Sequence, residues 1–358
     1  MENNTFGNRI TDNASAADDG KELIKKALYY IKDNLGWFPV DQATLFSGVY
    51  YDSKKVGSYI IKVQNDTEES AVLKLQLRPL PFDEGYIIRY IDENNKSKKI
   101  KTPRIMSDVA WNEKLGFGYL LFEDISELDN LWKNNVSTEA DRYLHKTFLQ
   151  EFLNNTLPIK PWLEKPDMSL SDAYKKSFEH FEKIANESVH QHVEKKLVTE
   201  YKDIYYKAID RMEFEDVHFT HGHLSGKDVK YNLRENSFTV MANLYWSYRP
   251  KYYELTFPIW VDIMHIRDEN ITLNDVIERI NAWGNQWQNN LYDHDPTKTL
   301  QYWFNLLERS MVTIMLDLGA SEWKENERDE KQALLNAWQD LFRWIIKNKI
   351  SPNTINQF

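Results

Sequence analysis

"HGHLSGKD", residues 221–228, sits between the short apolar run "VHFT" (217–220) and "VKYNLRENSFTVMA" (229–242), whose alternating halves flank "REN". That order reads as strand, polar loop and hairpin. The loop concentrates two histidines, a lysine and an aspartate between two rigid elements, where chemistry-bearing side chains tend to lie.

Upstream, residues 43 to 125 carry short alternating or apolar runs: "ATLFSGVYY", "SYIIKVQ", "SAVLKLQ", "TPRIMSDVA" and "FGYLLFEDI". These predict a small antiparallel sheet of about five strands, interrupted by one helix, "FDEGYIIRYIDEN". Before it, Leu23, Ile24, Ala27, Leu28, Ile31 and Leu35 form one helical stripe that Gly36 ends, and residues 1–18 read as disordered or loosely attached. After "FEDI" helical spacing dominates, over 138–154, 169–187, 189–212, 251–267, 272–292, 298–319 and 327–348. "SYRPKYYELTFPIWVDIMH" reads as a loop entering a buried helix. The expected architecture is α+β: a sheet-rich N-lobe over 19–125 and a larger, mostly helical C-lobe over 126–358, which carries the loop and hairpin at 217–243.

Composition narrows the function classes. The chain has 358 residues, 45 basic against 55 acidic and a net charge of -10, which opposes the cationic surface needed for non-specific nucleic-acid binding. No cysteine is present, so disulfides, thiolate nucleophiles and cysteine-ligated metals are excluded. The polar N-terminus has no apolar signal region, and no apolar run is long enough to span a bilayer, so a soluble, cytoplasmic protein without a membrane partner is expected. The 12 Trp, 20 Tyr and 17 Phe are first of all core material.

Two charges stand out within the sheet region. The strand period of two puts Val72, Lys74 and Gln76 on one face of "SAVLKLQ" and Ala71, Leu73 and Leu75 on the other. In the helix that follows, Glu84 falls in register with Ile87, Ile88 and Ile91 on the inward stripe. A carboxylate there is unfavourable unless paired, and Lys74 is the available cation. A lysine at the sheet edge and a glutamate complementing a helix start would also place these two residues.

His221, Gly222, His223, Leu224 and Asp228 match position for position the H-x-D-L-x-x-x-N form of a kinase catalytic loop, with His223 at the base and Asp228 at the amide. Together with the Lys74–Glu84 spacing, "GYLLFEDI", "ANL" and "KYYELTF", this resembles the aminoglycoside phosphotransferase and choline kinase-like family, which uses "HGD" at the loop. The resemblance covers about 43 to 265. It implies a bilobal protein kinase-like fold and an ATP- and magnesium-dependent transfer of γ-phosphate to a small-molecule hydroxyl. It places Lys74 on the phosphates with Glu84 orienting it, and Phe122, Glu123 and Ile125 near the nucleotide. No Gly-rich phosphate loop is visible and Gly48 is the one glycine in its place, while Lys227 reads either as a cation for phosphate charge or as a solvated turn lysine. Asp228 and Asn243 take the metal positions, His223 stands as base, and Glu254 braces the loop backbone.

The departures are as informative. His223 replaces the family's aspartate, Asp228 its asparagine and Asn243 its metal-binding aspartate, so amide and carboxylate are exchanged between the two metal positions. A neutral imidazole can serve as a general base. The residues leave open a catalytically inactive pseudokinase that binds nucleotide, ligand or protein. His218, His221 and His223 also invite a metal-site reading, although no acidic third ligand stands at a fixed spacing. His190 and His192, two apart on an expected helix, should point to different faces. The partner implied is a small molecule, a cationic alcohol among the candidates because acidic and aromatic side chains would favour it.

Overall fold

The computed structural model describes the chain except residues 1–13, 50–55, 80–82, 135, 157–160, 162, 166, 215–216, 227, 242, 244, 288–294 and 351–358; side chains at 14–19, 41–49 and 56 are also outside the description. Two compact units emerge: 1–94 with 101–128 and 239–244, and 95–100 with 129–238 and 245–358.

In the first unit, helix α1 (Ala14–Leu35) leads into strands β1 (Trp37–Val49), β2 (Val56–Asn65) and β3 (Ser70–Gln76). Helix α2 (Glu84–Asn94) and strands β4 (Ile100–Lys101), β5 (Ile105–Asn112) and β6 (Phe117–Glu123) follow. Helix α1 begins at Ala14, inside the stretch 1–18 expected to be loosely attached. The five longer strands form an antiparallel sheet in the order β1-β2-β3-β6-β5, with Lys74 opposite Ile60 on one side and Leu120 on the other. Alternation along β3 sorts the two faces. Ala71, Leu73 and Leu75 join Ala27 and Ile31 of α1 in one core, while Val72 joins Ile88 of α2, Leu120 and Phe122 in another. The sheet is therefore covered on both faces, and Lys74 shares the α2 side with Val72.

In the second unit, strand β7 (Asp129–Asn130) precedes helices α3 (Glu139–Thr156), α4 (Leu170–Glu187) and α5 (Lys195–Ile209). Strands β8 (Val217–Thr220), β9 (Val229–Asn232), β10 (Ser237–Val240) and β11 (Ser247–Pro250) then lead to α6 (Tyr253–Met264), α7 (Leu273–Trp287), α8 (Leu300–Val312) and α9 (Arg328–Asn348). The β9–β10 hairpin turns at residues 233–236, where Asn232 Oδ1 accepts the amides of Arg234 and Glu235. β7 pairs with β9, and β11 pairs antiparallel with β8, Ser247 lying opposite Thr220. "SYRP" is thus a strand and not the loop expected from its sequence. Four residues offer too little alternation to signal it.

The helical core is aromatic: Trp283, Trp287, Trp338, Tyr201, Tyr205, Tyr302 and Phe304 are fully buried. Asp262 of α6, also fully buried, accepts from Ser137 N and Oγ at 2.6 Å each and from Trp283 Nε1 at 2.8 Å. A buried carboxylate is tolerable only with such donors, and these three tie α6 to α7 and to the start of α3. Helix α5 begins at Lys195, so His190 and His192 lie in irregular chain before it. Their rings stack at 6.3 Å and His192 stacks on Trp323 at 3.7 Å, which corrects the expectation that they point to different faces. Among the described residues no helix is long and apolar enough to cross a membrane.

Candidate functional site

Lys74 and Glu84 meet in the first unit. Lys74 Nζ donates to Glu84 Oε2 at 2.6 Å, with the side chains 15% and 9% exposed. The contact depends on the close seating of α2 on β5: a Cβ at Gly85 would stand 2.3 Å from Asp108 Oδ2, and Asp108 is itself held by both Arg89 guanidinium nitrogens at 2.8 and 3.0 Å. Glycine beside Glu84 lets the helix start approach the sheet.

Phe122 and Ile125 are buried, and Glu123 accepts the Arg104 amide at 2.8 Å. Gly48 lies opposite Ser58 in β1. Asn243 is buried, with its Nδ2 donating to Val240 O at 3.2 Å and its Oδ1 shielded from solvent without a hydrogen-bond partner among the described residues. Lys227 lies outside the described residues.

In the second unit the 221–228 loop is clamped at several points. Gly222 has φ +65, and a Cβ there would stand 3.0 Å from Arg249 Nε, so glycine fits this position on both counts. His221 is fully buried, and its Nδ1 accepts the His223 amide at 3.3 Å. At Gly226 a Cβ would stand 2.0 Å from Trp132 Cγ, and Trp132 N donates to Gly226 O at 3.3 Å. Trp132 Nε1 donates to His145 Nδ1 at 3.0 Å. Burial lowers His145 to about 3, against the pull of Asp228, so the imidazole is neutral and able to accept. Trp132 and His145 are parts of this site that the sequence does not announce, because their contact spans 13 residues and crosses two elements.

His223 lies between two aromatic rings, 4.3 Å from Tyr245 at an interplanar angle of 18° and 4.4 Å from Phe257 at 45°. Its Nδ1 is 3.7 Å from Asp228 Oδ2, beyond hydrogen-bond range. That same oxygen accepts Ser225 N at 2.9 Å and Ser225 Oγ at 2.6 Å. Burial works against ionising Asp228, but His223 and the Ser225 donors outweigh it and hold the carboxyl below the usual carboxylate range. Ser225, three residues before an acid, is the Ser-x-x-Asp pattern of a local side-chain turn and was the available signal.

Glu254, at the start of α6, is buried, and burial raises its carboxyl above the ordinary range against the pull of its own backbone amide, Thr220 and Arg249. Arg249 in turn stacks over Tyr253 at 4.7 Å and abuts Gly222, so Glu254 reaches the loop through the charge of Arg249. No three His, Asp or Glu side chains among the described residues are placed to hold a metal, which removes support from the His218–His221–His223 reading.

No model of a known protein family matches the sequence, and no curated protein sequence is similar enough to match it. Solved structures match by fold. The amicoumacin kinase hAmiN in complex with AMP-PNP, Ca2+ and Ami is 13% identical, the match covering 94% of this chain and 98% of that one with a TM-score of 0.59. A choline kinase from Cryptosporidium parvum Iowa II is 12% identical over 87% of this chain and 92% of that one, TM-score 0.52. The choline kinase LicA from Streptococcus pneumoniae is 10% identical over 90% and 99%, TM-score 0.50. At such identities the likeness is one of fold: an antiparallel N-terminal sheet and a helical C-terminal part in the kinase-like arrangement that these small-molecule kinases share.

Proposed function

We propose that this chain is a phosphotransferase that passes the γ-phosphate of ATP to a hydroxyl of a small molecule. The observation that carries the reading is the 2.6 Å Lys74–Glu84 pair. Two charges removed from water are often no more stabilising than two well-packed apolar side chains, so a pair kept at this position points to use of the ammonium rather than to stability. In this reading Lys74 holds nucleotide phosphate oxygens and Glu84 fixes its direction. Phe122, Glu123, Ile125 and Gly48 border the nucleotide, and Lys227 adds a cation beside the phosphates. His223 accepts the proton of the incoming hydroxyl. The acceptor is a small alcohol, a cationic one among the candidates, and a cytoplasmic setting goes with use of ATP.

Magnesium is what the resemblance implies at Asp228 and Asn243, which offer a carboxylate and an amide oxygen, ligand types that it accepts. Asp228 presents Oδ2 to Ser225 and His223, which leaves its Oδ1 and Asn243 Oδ1 as the oxygens that would hold the ion, whose charge would neutralise that of the phosphates. The same engagement of Asp228 favours a second reading, a pseudokinase that binds nucleotide through Lys74 without turning it over.

The test is thermal unfolding titrated with ATP, with and without Mg2+, on the wild type and Lys74→Met. An ATP-dependent rise in melting temperature that Lys74→Met abolishes supports the nucleotide site, and ATP consumption stimulated by a panel of small alcohols then separates the transferase from the pseudokinase. Absence of any shift at millimolar ATP overturns both.

A further inference from the structure

His223 Nδ1 is shielded from solvent and has no hydrogen-bond partner among the described residues. The side chain as a whole is 40% exposed, so solvent reaches ring atoms other than Nδ1. A buried ring nitrogen requires a partner, and the one facing it is Asp228 Oδ2 at 3.7 Å. Ser225 pins that oxygen with two donors, at 2.9 and 2.6 Å. Tyr245 and Phe257 set the plane of the imidazole from its two faces. Ring plane and ring direction are both defined, and a small swing between the aromatic neighbours closes the remaining gap to hydrogen-bond length.

We propose that Asp228 is a positioning residue for His223: its carboxylate takes the Nδ1 proton, which leaves the Nε2 lone pair to accept a proton from substrate. The other tautomer would set a bare Nδ1 lone pair against a carboxylate oxygen, an electrostatically repulsive arrangement. A carboxylate that fixes the tautomer and orientation of a catalytic imidazole is a general solution to base catalysis. The chain thus turns the acid expected at a metal position into the partner of its base. The proton-transfer step rests on the phosphotransfer reading above. As the substrate oxygen bonds to the γ-phosphorus, the bond from phosphorus to the β–γ bridging oxygen breaks. The hydroxyl proton passes to His223 Nε2, and the nucleoside diphosphate leaves with the electron pair.

The experiment is ring-nitrogen NMR of the full chain labelled with 15N-histidine, at a pH where the ring is neutral, with His223→Gln identifying the resonances. Asp228→Ala is the comparison, since it removes the oxygen that faces Nδ1, and Ser225→Ala, which loses the turn hydroxyl and keeps the carboxylate, is the control. The wild type should hold His223 mainly as the Nδ1–H form, and the ratio of the two forms should shift toward Nε2–H in Asp228→Ala but not in Ser225→Ala. An unchanged ratio overturns the proposal. A merely structural role for Asp228 would not move this ratio. ATP-dependent thermal shift on the wild type is read in parallel: its absence defeats the phosphotransfer reading, while the tautomer ratio still decides the pair.

Discussion

The indole of Trp132 occupies the space that any side chain at Gly226 would need, with Cγ 2.0 Å from the position of a Cβ. Trp132 is anchored from its other side by His145, so it cannot retreat without losing a buried hydrogen bond. Gly226→Ala should therefore destabilise the protein by about 1–3 kcal/mol, the range for forced overpacking. Urea unfolding measures the loss. Trp132→Phe, which removes the Nε1 donor and part of the ring, should partly restore stability in the Gly226→Ala background while destabilising the wild type.

Lys74 and Glu84 are tested without reference to function. Each is mostly shielded, so removing one leaves an uncompensated charge. Lys74→Met or Glu84→Leu alone should lower stability by about 3 kcal/mol, the low end for a broken buried pair. The double variant should lose no more than either single variant, a coupling of about 3 kcal/mol in a double-mutant cycle. Additive losses would mean that the 2.6 Å contact carries little energy.

This pair was legible in the sequence, and so were the five-stranded sheet and the helix between its strands. Period-two alternation in β3 and the Glu84, Ile87, Ile88, Ile91 stripe each assign a face, and a lone charge on an apolar face demands a partner. Strand β11 was not legible, because pairing with β8 rather than its own pattern makes it a strand. His190 and His192 precede α5 because the helix starts only at Lys195, and apolar spacing marks helix interiors better than their ends. At the loop, the positions of His223 and Asp228 could be read, and Ser-x-x-Asp signals the Ser225–Asp228 turn, but the enclosure of the imidazole by Tyr245 and Phe257 could not be read. That enclosure is set by packing from other elements, which no periodicity encodes.

Two buried groups should give opposing pH effects. His145 sits at about 3 when folded, below its ordinary 6.5, because burial disfavours the imidazolium. Between those values the unfolded chain binds the extra proton, so this contribution is complete above about 6.5 and is lost as pH falls toward about 3. Asp317 is pushed up by burial from 3.8 to about 6, although Arg309 and Thr313 pull it down. Here the folded chain binds the extra proton, so the contribution is complete below 3.8 and is lost as pH rises through about 6. From about pH 4 to about pH 6 the two slopes cancel in part. Asp317→Asn should make stability rise more steeply with pH across that window, by up to one proton, and His145→Phe should lower the slope by up to one proton and leave the fall set by Asp317. Urea midpoints measured across the window check both signs.

The aromatic enclosure of His223 separates two roles that are usually confounded. Tyr245 is 47% exposed and Phe257 2%, yet both rings lie within 4.4 Å of the imidazole centroid. Phe257→Ala should cost about 3–5 kcal/mol, as a buried aromatic truncation does, and its effect on chemistry would be hard to tell from unfolding. Tyr245→Ala removes one face of the enclosure from a half-exposed position, so stability should change by less than about 1 kcal/mol. The freed ring should then react faster with diethylpyrocarbonate at His223, read by mass spectrometry with His223→Gln as the blank. If His223 is the base, Tyr245→Ala should lower kcat with ATP KM unchanged, because the nucleotide contacts assigned to Lys74 are untouched and only the direction of the proton acceptor is lost. An equal reaction rate in wild type and Tyr245→Ala would mean that Phe257 and Asp228 hold the ring without Tyr245.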